Sequence, residues 1–118
     1  MARKDEIGRA GEDLARRWIE RTGAEVVECN WRCREGELDL IAFDGDDLVI
    51  VEVKTRRTLR LGHPAEAVTP RKLARLRRLA GIWLDGCRRH VAGVRVDVIA
   101  VWLPEGQSPR VDHIQGVG

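Results

Sequence analysis

GELDLIAFDGDDLVIVEVKTR, residues 36–56, decides the fold. Two runs rich in β-branched and aliphatic residues, Leu38 to Phe43 and Leu48 to Lys54, flank Asp44-Gly45-Asp46-Asp47, a sequence suited to a tight reversal. Whether Gly45-Asp46 alone or all four residues make the turn, the register is the same: Phe43 pairs with Leu48 and Asp39 with Glu52. Residues opposed in this way share a face with Cβ atoms ~4.5–5.5 Å apart, and strand alternation adds Lys54 to that face. The other positions are apolar on both faces, so both sides of the hairpin should be covered.

Like charges opposed on a sheet destabilise it, and burying them uncompensated costs several kcal/mol. Asp39 and Glu52 therefore call for positive charge nearby. Lys54 supplies one unit, and a divalent cation can supply the rest. Mg²⁺ binds through one or two carboxylates and keeps several waters, which suits this pair. Glu-x-Lys is common on strands that do no chemistry, so the context must carry the reading.

Outward from the hairpin, Ile7 to about Arg21 places Ile7, Leu14, Ala15, Trp18 and Ile19 on one helical face, and Gly23 ends the helix. Glu12 lies at the edge of that face, from where a carboxylate can reach a site over the sheet. Ala24 to Trp31 reads as a strand and Arg32 to Gly36 as a polar connection. Thr55 to Val68 is a basic loop with Gly and Pro, then Thr69-Pro70 offers an N-cap followed by proline at the first helical position. The helix from Pro70 to about Leu84 buries Leu73, Leu76, Ala80, Trp83 and Leu84, and carries Arg71, Lys72, Arg75 and Arg78 on its other side. Val94 to Trp102 alternates as a last strand. Residues 1–5 and 104–118 read as largely irregular, with room for a short terminal strand. The four tryptophans, Trp18, Trp31, Trp83 and Trp102, fall on apolar faces and read as core.

With 118 residues the chain is the size of one domain, so a single site is expected. No apolar run approaches the ~20 residues of a membrane span, and the charged N-terminus lacks the apolar stretch of a signal peptide; a cytoplasmic protein is expected. Cys29, Cys33 and Cys87 form no Cys-x-x-Cys pair and read as reduced core fillers, so neither a disulfide framework nor a zinc site with His63, His90 or His113 is expected. The net charge of +2 hides a strong segregation. Residues 35–52 hold seven acids and no Lys or Arg, whereas residues 54–78 hold nine basic residues against the single acid Glu66. An acidic pocket beside a basic apron suits a metal-dependent enzyme acting on a polyanion.

The run Gly36-Glu37-Leu38-Asp39-Leu40-Ile41 followed by Val51-Glu52-Val53-Lys54-Thr55-Arg56 resembles the PD-(D/E)xK nuclease motif, with Leu38 in place of the motif's proline. Gly11-Glu12, Asn30-Trp31-Arg32, both hairpin runs, Glu66-Ala67-Val68 and Asp112-His113-Ile114 look like the YraN family of uncharacterised proteins, over nearly the whole chain. That family is similar in fold to restriction endonucleases and to archaeal Holliday-junction resolvases. The resemblance implies a single restriction-endonuclease-like α/β domain over 1–118, with a central mixed sheet, an antiparallel hairpin and flanking helices. It also implies that Glu12 joins Asp39, Glu52 and Lys54 at a Mg²⁺ or Mn²⁺ site, with the Val53 carbonyl as a further ligand.

The function expected is hydrolysis of phosphodiester bonds in structured or branched DNA. Asp39 and Glu52 would bind the metal, Glu12 would act directly or through water, and Lys54 would hold the attacking water. Arg56, Arg57, Arg60, Arg71, Lys72 and Arg75 would grip the flanking backbone. Glu37 could add a ligand, although an outward salt bridge is the simpler role, and Asp97 beside Arg95 reads as structural pairing. A nucleic-acid-binding module of the same fold without cleavage, or a scaffold whose basic face meets an acidic protein, are the alternatives. A homodimer is one assembly compatible with the sequence.

Overall fold

The hairpin register read from residues 36–56 is the one found in the computed structural model, where Phe43 pairs with Leu48 and Leu40 with Val51. The structure describes residues 2–58 and 68–117, with side chains from Glu6 onward. In chain order the elements are α1 (Ala2–Arg21), β1 (Glu25–Cys33), β2 (Gly36–Asp44), β3 (Asp47–Arg56), α2 (Pro70–Asp85), β4 (Gly93–Trp102) and β5 (Arg110–Ile114). The strands form one sheet in the order β1-β2-β3-β4-β5. Neighbours are antiparallel except β3 and β4, which are parallel and joined through α2. No helix among the described residues is long and apolar enough to cross a membrane.

A helix lies on each face, as two-sided apolar strands require. Ala15 and Ile19 of α1 pack on Leu40, Ala42, Val49, Val51, Ile99 and Val101. Leu76, Leu79 and Ala80 of α2 pack on Leu38, Ile41, Phe43, Leu48, Ile50 and Val96. Pro70 follows the N-cap Thr69, whose hydroxyl accepts from the Lys72 N–H at 3.1 Å. The cap therefore fixes the first turn of α2, including Lys72.

Two sequence expectations change. The first helix starts at Ala2 rather than near Ile7, because Arg3, Lys4 and Glu6 are good helix formers and an acid such as Asp5 suits a helix N-terminus, none of them leaving an apolar pattern. The tail carries the short terminal strand for which the sequence left room, Arg110–Ile114, paired with β4 at the edge of the sheet. Trp18 is 37% exposed rather than core; its indole N–H donates to His113 Nδ1 at 3.3 Å.

That histidine belongs to a buried anchor. Asp97, fully buried, accepts from Arg95 at 2.9 and 3.2 Å, from the Gly116 N–H at 3.0 Å, and pairs with His113 Nε2 at 2.8 Å. Because His113 Nδ1 accepts from Trp18, Nε2 carries the proton towards Asp97. Asp97 is thus structural, as read from the sequence, and ties β5 and the tail to β4.

The seating of α1 depends on Gly11, which is buried against Thr55 of β3. A Cβ built there would lie 2.0 Å from the Thr55 hydroxyl oxygen and 2.7 Å from its methyl carbon. Gly11→Ala should therefore lower stability by roughly 1–3 kcal/mol, the usual range for overpacking. Adding Thr55→Ala, which removes the two nearest atoms, should recover part of the loss. Denaturant unfolding of the three proteins checks this, and a Gly11→Ala variant as stable as wild type would refute the close approach.

Candidate active site

β2 and β3 do not stay paired along their length. Their ladder runs from Asp44–Asp47 to Leu40–Val51 and stops, although β2 extends back to Gly36 and β3 on to Arg56. Beyond the stop, among the described residues, β2 pairs with β1 alone and β3 with β4 alone. The sheet thus forks, and the candidate residues stand in the fork.

Asp39 fills it. Its Oδ2 accepts from the Val53 N–H at 2.9 Å, taking the place of a ladder carbonyl. Alternation is broken here, since Leu38 and Ile41, three apart, both pack on the α2 side, while Leu40 packs on the α1 side. Across β1, the Cys29–Leu40 and Trp31–Leu38 pairs bracket Asn30, which has φ 53°. Asparagine tolerates this left-handed conformation better than most residues, and it bends β1 beside Asp39. The expected direct facing of Asp39 and Glu52 is therefore replaced by a carboxylate lying in the plane of the open ladder.

Glu52 and Lys54 share the α2 face of β3, as alternation requires. Glu52 is 5% exposed and is held by two ammonium groups: Lys54 Nζ and Lys72 Nζ each lie 3.3 Å from Oε2. Lys72, read from the sequence as a backbone contact, thus belongs to the carboxylate site. The signal was present in the capped first turn, because a helix crossing between parallel strands begins at the carboxyl end of the first, where Glu52 and Lys54 lie.

Among the described residues, Asp39 has no such cation. Burial pushes its carboxyl up to about 7, with the negative charge of Glu52 next in importance; Glu12 and Glu37 add to the rise, and only the Val53 N–H opposes it. Glu12 acts from the opposite side of the sheet, on the turn of α1 that Gly11 seats on Thr55. Among the described residues, no three Asp, Glu, His or Cys side chains are gathered closely enough to form a ready-made metal cage. Glu37 makes the outward salt bridge, with Arg32 at 3.0 Å.

The basic residues are spread more widely. Arg56 donates to the Thr55 carbonyl, Arg57 pairs with Glu105 at 3.0 Å, and Arg71 is exposed. Arg75 donates to the Glu35 carbonyl at 3.3 Å, beside Gly36, where a Cβ would lie 3.1 Å from the guanidinium. Arg60, His63, Glu66 and Ala67 lie outside the described residues. Sequence reading did not anticipate that Arg32, near the end of β1, and Arg34, in the β1–β2 turn, line a cleft of about 550 Å³ together with Lys72 and Arg75.

A five-stranded mixed sheet with a helix on each face, forked at two carboxylates and a lysine, defines an α/β domain compatible with the restriction-endonuclease-like fold. The family model described as "Uncharacterised protein family UPF0102", the YraN family, matches residues 11–101, and the chain belongs to that family. Among similar chains is a UPF0102 protein of Beutenbergia cavernae, 58% identical over 118 residues and covered in full, as is this chain. UPF0102 proteins of Renibacterium salmoninarum and an Arthrobacter species are 50% and 53% identical, again over the whole of both chains.

The raised Asp39 carboxyl has a pH signature. Folding favours its protonated form, so the stabilisation this provides is full below the ordinary value of 3.8 and is lost as pH rises through about 7. Asp39→Asn, which keeps an acceptor for the Val53 N–H but cannot ionise, should match wild type near pH 4. By pH 8 it should be more stable by at least about 1 kcal/mol, or roughly 4 °C in thermal midpoint. A stability difference that does not change with pH would contradict this account.

Proposed function

We propose that the protein is a metal-dependent nuclease that hydrolyses phosphodiester bonds in structured or branched DNA. The observation that carries the reading is Asp39: a carboxylate wedged in the fork, surrounded by the charges of Glu52, Glu12 and Glu37, with no cation of its own among the described residues while Glu52 has two. A divalent cation would displace the proton that Asp39 otherwise holds.

The donors suit a small, hard cation. Asp39 and Glu52 offer carboxylate oxygens, and the Val53 carbonyl lies on the same strand edge as the N–H that Asp39 takes. Glu12 fits a role through water, since it adds charge from the α1 side without forming a three-carboxylate cage. Bound Mg²⁺ or Mn²⁺ would polarise the phosphate and make a water acidic enough to attack it at neutral pH. The chain's own groups orient that event. Lys54, whose ammonium is held by Glu52, is the group assigned to hold the attacking water and offset the charge that gathers on phosphorus-bound oxygen. Arg56 and Arg57 after the fork, and Arg71 and Arg75 on α2, are assigned to the flanking phosphates, contacts that position DNA without reading its sequence.

A panel of branched, flapped, single-stranded and duplex DNAs, assayed with Mg²⁺ and Mn²⁺, tests the reading. On a substrate that wild type cuts, Lys54→Ala should bind nearly as well but cleave at least about a hundredfold more slowly. Lys54→Arg should also fail, because a planar guanidinium does not replace a compact ammonium beside Glu52. Cleavage retained by Lys54→Ala would overturn the mechanism, and binding without cleavage under every condition would leave a nucleic-acid-binding module of nuclease fold.

A further inference from the structure

Lys72 stands between two environments. Its ammonium lies 3.3 Å from Glu52, and the same side chain lines the cleft of about 550 Å³ whose other walls include Arg32, Arg34 and Arg75. Its backbone is held by the Thr69 cap, so what can move is the flexible four-carbon stem. At 35% exposure the side chain is less confined than the carboxylate it neutralises, which is 7% exposed.

The charges on Glu52 limit what else can bind there. Lys54, Lys72 and a divalent cation would set four positive charges against Asp39, Glu52 and the nearby Glu12, since Glu37 is already paired with Arg32. Lys54 is the more buried of the two lysines, with 25% of its side chain exposed against 35% for Lys72. The lysine with somewhere to go is therefore Lys72, because the cleft beside it already gathers guanidinium groups suited to phosphate oxygens.

We propose that Lys72 is an exchangeable counter-ion: it neutralises Glu52 in the metal-free protein, and metal binding transfers it to a phosphate of the nucleic acid in the adjoining cleft. Metal and nucleic acid then each bind more tightly in the presence of the other, and the coupling is reciprocal. This inference rests on the metal-dependent reading of the fork. It makes Lys72 a positioning residue that acts through Glu52, distinct from Lys54. Glu35 and Glu37, which also line the cleft, are engaged by Arg78 and Arg32, so they do not claim Lys72 once it leaves Glu52.

Calorimetric titration with Mn²⁺ alone, on wild type, Lys72→Gln, Arg75→Gln and Asp39→Asn, tests the first half. Lys72→Gln should bind Mn²⁺ at least about fivefold more tightly than wild type, the lower end of ordinary site coupling. Arg75→Gln, which removes the same charge from the same cleft without touching Glu52, should change affinity less than about twofold. Asp39→Asn should lose the site. The second half is read by anisotropy of a labelled DNA junction, recorded by stopped flow before cleavage can proceed. Mn²⁺ should tighten DNA binding by wild type at least about fivefold and by Lys72→Gln less than about twofold. If Lys72→Gln binds Mn²⁺ no better than wild type, gains no more than Arg75→Gln, or shows the same Mn²⁺ enhancement of DNA binding as wild type, the exchange is overturned while the metal site stands. Absence of any Asp39-dependent Mn²⁺ binding would remove the metal reading and this inference together.

Discussion

The hydrogen bond from the Val53 N–H to the Asp39 carboxylate holds the site open. A backbone N–H at the end of a broken ladder must find an acceptor or carry the cost of burial without one. Here a side chain supplies it, so β3 can leave β2 without stranding a donor. Once the strands part, Glu52 and Lys54 gain a space that a continuous ladder would have closed, and α2 can bring Lys72 into it. On the other face, Gly11 brings the turn that carries Glu12 down onto Thr55, beyond the point of parting. The same carboxylate ends the pairing and collects the unfavourable charge.

Much of this was legible because it follows local rules. Apolar runs around Asp44-Gly45-Asp46-Asp47 specify a hairpin and its register, and Thr69-Pro70 specifies the start of α2. Two-sided hydrophobicity called for a helix on each face. What escaped was where regularity fails. Strand alternation extrapolated past Leu40 puts Asp39 opposite Glu52, whereas the fork and the bend at Asn30 turn it into the plane of the sheet. Trp18 followed the apolar stripe of α1, yet its indole satisfies His113, whose place depends on Asp97 some distance along the chain. Lys72 looked like one more member of a basic helix until the parallel pairing of β3 and β4 located its first turn.

The separation of charge along the sequence also takes a different form in space. An acidic stretch before Lys54 and a basic stretch after it suggested adjacent patches of opposite sign. Folding instead interlocks them: Lys72 meets Glu52, and both Arg75 and Arg78 meet Glu35. Pairs at the exposed end of this series contribute little to stability. Those on Glu52 matter more, because that carboxylate is buried and would otherwise be unpaired. The field at the mouth of the fork is therefore set by which partners the lysines keep.

The parallel pairing of β3 with β4 has a consequence for how the chain reaches this state. β1, β2 and β3 follow one another by short reversals, whereas β4 can join only after the intervening segment, including α2, has been brought across the sheet. Non-local pairing of this kind is slow, because the loop must close before its contacts form. Asp39, Glu52 and Lys54 are all carried by the β2–β3 hairpin, while Lys72 belongs to the crossover. The carboxylates thus belong to a local pairing and their second ammonium to a non-local one, and the completed charge balance is a mark of the finished topology.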